Sequence, residues 1–177
     1  VTTSETSTTG GSNETKSDII QSSYSEKATE DFLGAFTEEF TMTNFELTDV
    51  YMLFDDDISD LYDEMKAEIE DGGQPKQRTK AKMIGMIQKN HDDIGHVIYG
   101  KVYLGQKEID QSTGNTKIVS QVNGEVWNIT ERRPKLVSSV SPAVFAGLGS
   151  TLDVARTNAL KQSSESSSKT IINILSK

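Results

Sequence analysis

The chain of 177 residues contains no cysteine and only three prolines. Without a thiol it forms no disulfide, offers no thiolate nucleophile and supplies no cysteine ligand to zinc or to an iron–sulfur cluster. It also has no apolar run near the roughly 20 residues that a membrane-spanning helix needs. Hydrophobic residues make up 34% of the chain and charged residues 25%. These proportions favour a globular chain of one domain over a membrane span.

The first part of the chain has few basic residues, and the second part has few acidic ones. Residues 1–75 carry 19 acidic and 3 basic side chains, whereas residues 76–177 carry 8 acidic and 15 basic ones. The first part therefore has a net charge of −16 and the second of +7. The overall net charge of −9 argues against a general nucleic-acid binder. In one folded domain this division becomes a surface dipole, which favours head-to-tail protein contacts.

Apolar periodicity predicts four helices. In the first helix an apolar residue recurs at every fourth position: Tyr24, Ala28, Phe32, Phe36 and Phe40. Ser23 and Glu26 form a capping-box pattern at its start. The last helix presents a face of small residues, which suits a close approach to a sheet. The approximate bounds of the four helices are 24–40, 58–69, 77–90 and 151–175.

Extended segments lie before and between these helices. Their approximate bounds are 1–7, 44–50, 96–109, 117–129 and 136–144. The second is predicted from the alternation of Phe45 and Leu47 with polar residues. A glycine-containing turn at 113–115 joins the third and fourth, which indicates an antiparallel hairpin. Gly147 and Gly149 are expected to break the chain before the last helix.

The order of these elements predicts an α/β or α+β sandwich. Its features are a small mixed sheet with an antiparallel hairpin, helices packed on the faces of the sheet and a long C-terminal helix. We expect a single domain over residues 1–177, within which residues 8–22 form a flexible loop or tail rich in serine, threonine and glycine. A disordered tail over the whole of residues 1–23 is the alternative.

One short segment holds both histidines of the chain. His91, Asp92, Asp93 and His96 offer two imidazoles and two carboxylates within six residues, and zinc accepts both kinds of ligand. Their spacing matches no helical or zinc-knuckle pattern, and Gly95 indicates a connection between a helix and a strand. A plain loop is therefore the first interpretation, and a metal-dependent hydrolase that uses His91 and His96 is an alternative.

Other catalytic and ligand-binding motifs are missing. The acidic segment 55–64 is too irregular for an EF-hand, because Asp60 and Lys66 stand where the loop needs glycine and glutamate. Carboxylates at this point suit the start of a helix. The chain has neither a G-x-S-x-G elbow nor a Walker A loop, and Leu152 replaces the third glycine of a dinucleotide fingerprint. We predict no catalytic residue and no cofactor.

A basic segment opens the third helix. Such a segment can contact phosphates or anionic headgroups, but it lacks interleaved aromatic residues. It indicates a solvated face or a self-association surface that meets the acidic half. The residues expected on this interaction surface are Arg78, Lys80, Lys82, Asp56, Asp57 and Asp60. A nucleic-acid-binding module that uses the basic helix 76–89 is the alternative.

Four segments, taken in order, resemble motifs of one group of bacterial envelope proteins. Residues 44–49 resemble a G-F-x-V-x-D strand, and residues 92–102 resemble an A-D-x-V-I-x-G-x-V strand. Residues 122–127 contain G-E-V-W, and residues 155–160 read A-R-x-x-A-L. The group includes the N-terminal domain of TolB, the curli secretion protein CsgG, the penicillin-binding-protein activator LpoB and the middle domain of the flagellar protein FlgT.

This resemblance implies a domain like the anticodon-binding fold that works without catalytic residues. The function that it implies is a cell-envelope adaptor or assembly domain, which mediates protein–protein contacts or oligomerises. The expected partners are other envelope proteins or the chain itself, and no nucleic acid. The expected location is the periplasm or the outer membrane, with membrane contact only through a lipid anchor upstream of the chain.

Overall fold

The computed structural model of the chain describes five stretches: residues 2–4, 22–24, 26–53, 56–72 and 75–177. They contain β1 (Thr2–Ser4), β2 (Ser22–Tyr24), α1 (Glu26–Thr41), α2 (Asp56–Gly72), α3 (Gln77–Asn90), β3 (His96–Leu104), β4 (Glu108–Ile109), β5 (Thr116–Asn128), β6 (Lys135–Gly149) and α4 (Leu152–Leu175). The chain is an α+β fold with a long C-terminal helix, as the sequence predicts. Residues 8–21 of the expected flexible segment lie outside the described stretches.

The six strands form one mixed sheet in the order β2-β1-β3-β5-β6. β4 continues the line of β3 along the same edge of β5, because β6 occupies the other edge. All neighbouring strands run antiparallel except β1 and β3, which run parallel. The predicted hairpin is present as β3 and β5. Gly114 in its turn has φ +70°, in the left-handed region where glycine is unstrained.

Helices cover both faces of the sheet. α1 and α4 pack on the face to which Ile118, Val122 and Val126 of β5 point, and these side chains are at most 3% exposed. α2 and α3 cover part of the opposite face and enclose a second cluster against Trp127. The buried members of this second cluster are Leu61, Met65, Met83, Ile84, Ile87 and Ile129. The apolar stripes of the helices therefore meet the sheet on both sides.

β6 runs past the predicted break at Gly147 and ends at Gly149. A Cβ at position 147 would lie 2.2 Å from the carbonyl oxygen of Ala155 and 2.2 Å from the amide nitrogen of Ala159, both in α4. Both alanines are fully buried, and the hydroxyl of Ser120 donates to the carbonyl of Ala159 at 3.0 Å. The predicted chain break is wrong. The predicted close approach of the helix to the sheet is confirmed.

Residues 44–50, all of which the structure describes, form no strand, so that prediction is wrong. Most of the segment has no regular secondary structure, and its end begins a 3₁₀ turn, Val50–Met52. Phe45 and Leu47 pack against the cluster that contains Phe40. Alternate apolar side chains thus reach the cluster between α1, α4 and β5 without forming a strand themselves.

The carboxylate of Asp110 organises the turn between β4 and β5. Its Oδ1 atom accepts hydrogen bonds from the hydroxyl of Ser112 at 2.5 Å, from the hydroxyl of Thr113 at 2.8 Å and from the amide of Thr113 at 2.9 Å. These bonds, foremost the one from the Ser112 hydroxyl, lower the pKa of Asp110 to about 2. The charged form of this carboxylate is therefore coupled to the native turn.

We expect the fold to lose stability in acid as Asp110 gains a proton. Its pKa in the folded chain lies below the roughly 3.9 of an unfolded chain. Its contribution is therefore complete above about pH 4 and is lost as the pH falls through about 2. A carboxyl NMR titration should give a midpoint near pH 2, and Ser112→Ala should raise that midpoint. Equal midpoints for the two proteins would contradict this description of the turn.

Candidate functional site

A buried carboxylate joins the C-terminal part of α2 to the start of α3. Glu68 of α2 accepts a hydrogen bond from the amide of Lys76 at 2.7 Å and another from the hydroxyl of Thr79 at 2.9 Å. Burial raises the pKa of Glu68, but the bonds from Lys76 and Thr79 outweigh burial and hold the pKa below its usual range. The ionised carboxylate thereby fixes the end of α2 against the first turn of α3.

An open groove of about 490 Å³ lies between these two helices. The residues that line this α2–α3 groove are Asp60, Leu61 and Glu64 of α2 and Lys82, Gly85, Met86 and Lys89 of α3. Leu61 is buried and Met86 half-buried, so the floor is apolar and the walls are charged. The ammonium of Lys82 lies 3.2 Å from a carboxylate oxygen of Glu64. The groove therefore combines an apolar floor with charges of both signs.

The two walls of the α2–α3 groove come from helices of opposite charge. The sequence of α2 contains eight acidic residues and one basic residue, whereas that of α3 contains four basic residues and no acidic one. This single helical hairpin therefore carries a large part of the charge division between the two halves of the chain.

The structure brings together two residues of the expected interaction surface. Asp60 and Lys82 both line the α2–α3 groove. Arg78 is exposed in the first turn of α3. Asp56 and Asp57 are the first two residues of α2, and their side chains lie outside what the structure describes. Of the six expected residues, the structure therefore places only Asp60 and Lys82 at the groove.

Lys80 lies on a different side of α3 and faces the sheet. Its ammonium is 3.2 and 3.1 Å from the two carboxylate oxygens of Glu125, which also accepts a hydrogen bond from the indole of Trp127 at 3.0 Å. The same ammonium lies 5.3 Å from the centre of the Tyr99 ring. Burial, and then the charge of Lys80, lower the pKa of the neighbouring Lys101. Lys80 thus joins α3 to the sheet and takes no part in the groove.

We expect Glu125→Gln to lower the free energy of unfolding by about 2–3 kcal/mol. The change leaves the ammonium of Lys80, whose side chain is only 11% exposed, without its carboxylate and beside Lys101. Glu64→Gln is the matched control, because it breaks an exposed pair with Lys82 that contributes about 0–1 kcal/mol. Chemical denaturation measures both values. Equal losses in the two variants would show that Lys80 does not anchor α3.

The candidate metal ligands have separate partners. His91 Nε2 lies 2.9 Å from the carbonyl oxygen of Leu53, and His96 Nε2 lies 3.4 Å from the side-chain nitrogen of Asn128. Asp92 and Asp93 are exposed in the turn between α3 and β3. Within the stretches that the structure describes, no group of three or more histidine, aspartate or glutamate side chains is placed to hold a metal ion. The hydrolase interpretation stays a hypothesis with no specific geometry in its favour.

A second exposed surface lies on β6. Val144 is 64% exposed and Leu148 39%, and Ala146 between them is exposed too. Leu136 and Val137 are 48% and 46% exposed near the start of the strand. The outer edge of β6 pairs with no strand in the described part of the chain. Residues 143–149 are all apolar or glycine, so no alternation in the sequence indicates which side of this strand is exposed.

Comparison of the chain with protein-family models, with curated proteins and with solved structures gives no match. Among the described helices, none combines the length and the apolar character needed to cross a bilayer. The resemblance to the envelope group therefore stays a prediction from sequence.

Proposed function

We propose that the chain is a non-enzymatic assembly module of the bacterial cell envelope that binds proteins through the α2–α3 groove. The observation that carries the proposal is the apolar floor, formed by Leu61 and Met86, between one acidic and one basic helix. Apolar area that leaves water supplies affinity, and fixed charges of both signs on the walls select the partner and its orientation.

The alternating charges make a protein a better occupant than a nucleic acid. A phosphate backbone needs a surface of one sign, because affinity comes from neutralising many phosphates. In the groove, Lys82 lies beside Glu64, and Asp60 belongs to the same wall as Glu64. A polyanion at Lys82 would therefore also meet carboxylates, whereas a protein can offer opposite charges to both walls.

The envelope part of the proposal rests on the four ordered sequence motifs. Residues 92–102 extend through most of β3, residues 122–127 lie within β5 and residues 155–160 lie in the first half of α4. Residues 44–49 follow α1 and match the motif in sequence, but they form no strand. We place the protein in the periplasm or at the outer membrane on this resemblance, with other envelope proteins or the chain itself as partners.

Site-specific photo-crosslinking tests the proposal in the cells that make the protein. Gly85 lines the groove, and Gly34 lies on an exposed part of α1. Both are helical positions where an added Cβ would meet no atom outside the adjoining helix backbone within 4 Å. A crosslinker at position 85 should give adducts that fractionate with the envelope and that mass spectrometry identifies as envelope proteins or the chain itself. The same crosslinker at position 34 should not.

Two results would overturn the proposal. One is an adduct yield at position 85 no higher than at position 34. The other is recovery of the protein in the cytoplasmic fraction. Lys82→Glu should reduce the adducts from position 85, because it reverses a charge on the basic wall of the groove.

A further inference from the structure

We infer that the protein seated in the α2–α3 groove is a second copy of this chain, related by a two-fold axis so that the α2 wall of each copy faces the α3 wall of the other. The inference rests on the proposed function and names its partner. It is carried by the opposite charges of the two walls, which the structure sets side by side on one surface.

A two-fold axis through such a surface makes it complementary to itself. In a symmetric pair, residue i of one copy meets residue j of the other, and j meets i. If Asp60 meets Lys82 of the second copy, Lys82 meets Asp60 in return, so one favourable contact is made twice. A pairing that set α2 of one copy against α2 of the other would bring Asp60 and Glu64 of the two copies close together. Repulsion between these like charges would oppose it.

The shape of the groove suits a helix from the second copy. Gly85 is exposed on the groove side of α3, and an added Cβ there would meet no atom within 4 Å. A neighbouring helix can therefore approach α3 at this point without meeting an obstruction. Such an approach would cover Leu61 and Met86, the apolar floor of the groove, and remove their remaining exposed area from water.

Replacing the ion pair within one copy by an ion pair between two copies costs little free energy. Lys82 already lies 3.2 Å from Glu64, but the two side chains are 45% and 43% exposed. An exposed pair of this kind contributes about 0–1 kcal/mol to stability. Lys82 can therefore turn to a carboxylate of the second copy with almost no loss of stability.

Sedimentation velocity of the full chain tests the inference. We expect a dimer at about 50 mM salt and a dissociation constant at least about tenfold higher at about 500 mM salt, where exposed charges are screened. Lys82→Glu alone and Asp60→Lys alone should each weaken the dimer at least about tenfold. The chain that carries both substitutions should dimerise like the unmodified chain, because every reversed contact regains an opposite partner.

Mixing the two single variants gives a sharper result. Each should pair with itself only weakly. One copy with Lys82→Glu and one copy with Asp60→Lys present opposite charges at both contacts, so the mixture should form a heterodimer. Lys169→Glu is the matched control, since Lys169 is a 60% exposed lysine of α4 that pairs with Glu39 outside the groove. It should leave the dimer unchanged, and circular dichroism should show that all variants fold.

The outcomes separate this inference from the proposed function. A chain that stays monomeric up to about 100 μM, while position 85 crosslinks to a different envelope protein, overturns the inference and leaves the proposed function standing. A dimer that ignores both charge reversals but is lost in Val144→Lys is seated on β6, which overturns the inference as well. A monomer with no adduct at position 85 overturns both.

Discussion

Gly147→Ala should lower the free energy of unfolding by about 3 kcal/mol or more, or prevent folding, which is the upper part of the range for overpacked cores. The added methyl group would lie 2.2 Å from backbone atoms of Ala155 and Ala159, where no side-chain rotation can relieve the overlap. α4 would have to move away from β5 and β6. Urea denaturation followed by circular dichroism measures the loss.

Gly100→Ala is the control for that experiment. Gly100 also lies within a strand of the sheet, but an added Cβ there would be 3.7 Å from the carbonyl oxygen of Asn123, an ordinary contact. Its stability should stay within about 1 kcal/mol of the unmodified chain. If Gly147→Ala proved as mild as Gly100→Ala, α4 would not lie as close to the sheet as described.

Phe40→Ala should cost about 3–5 kcal/mol, the usual range for a large aromatic side chain in a core. Phe40 is 2% exposed, and its ring centre lies 5.1 Å from that of Phe36. The ring also closes a cluster that contains Val126 of β5 and Ile171 of α4. Its removal opens a cavity where α1, α4 and the sheet meet, so the loss should appear in one cooperative transition.

Met42→Ala provides the comparison for Phe40→Ala. Met42 lies just beyond the end of α1 and is 78% exposed, so its loss should change stability by no more than about 0.5 kcal/mol. Similar losses in the free energy of unfolding for the two variants would mean that the phenylalanine stripe of α1 is not part of the hydrophobic core.

Periodicity in the sequence predicts the helices of this chain well. The spacing that predicts α3 gives its observed bounds, and the repeat of Phe32, Phe36 and Phe40 gives the buried face of α1. Such a repeat shows which side of a helix is apolar, and that side is the one that packs against the core. The prediction of an α+β sandwich follows from the order of these segments.

The strands show where local pattern stops being informative. Phe45 and Leu47 alternate like a strand, yet no backbone in the described part of the chain forms a ladder with them. Gly147 and Gly149 look like a break, yet they lie within β6. They are glycines because α4 packs so close to that strand that a side chain would not fit. Both features depend on what packs against the segment, and that is set by distant parts of the chain.

The candidate site was predictable in part. The charge pattern of the sequence identifies Asp60 and Lys82 as candidates for the interaction surface, but it does not distinguish Lys82 from Lys80. Successive helical residues turn by about 100°, so these two lysines point to nearly opposite sides of α3. Lys80 stands three and four residues before the buried Met83 and Ile84, and this spacing places it on the inner face. The groove itself needs both helices in place and has no sequence signal.

The most direct test compares hydrogen–deuterium exchange in the chain purified alone with exchange in the chain isolated within its envelope assembly. We expect slower exchange in α2 and α3, around Asp60 and Gly85, in the assembly, because a covered groove opens less often. Exchange on β6 around Val144 should not change. Slower exchange confined to β6, with α2 and α3 unaffected, would contradict the claim that this protein assembles through the α2–α3 groove.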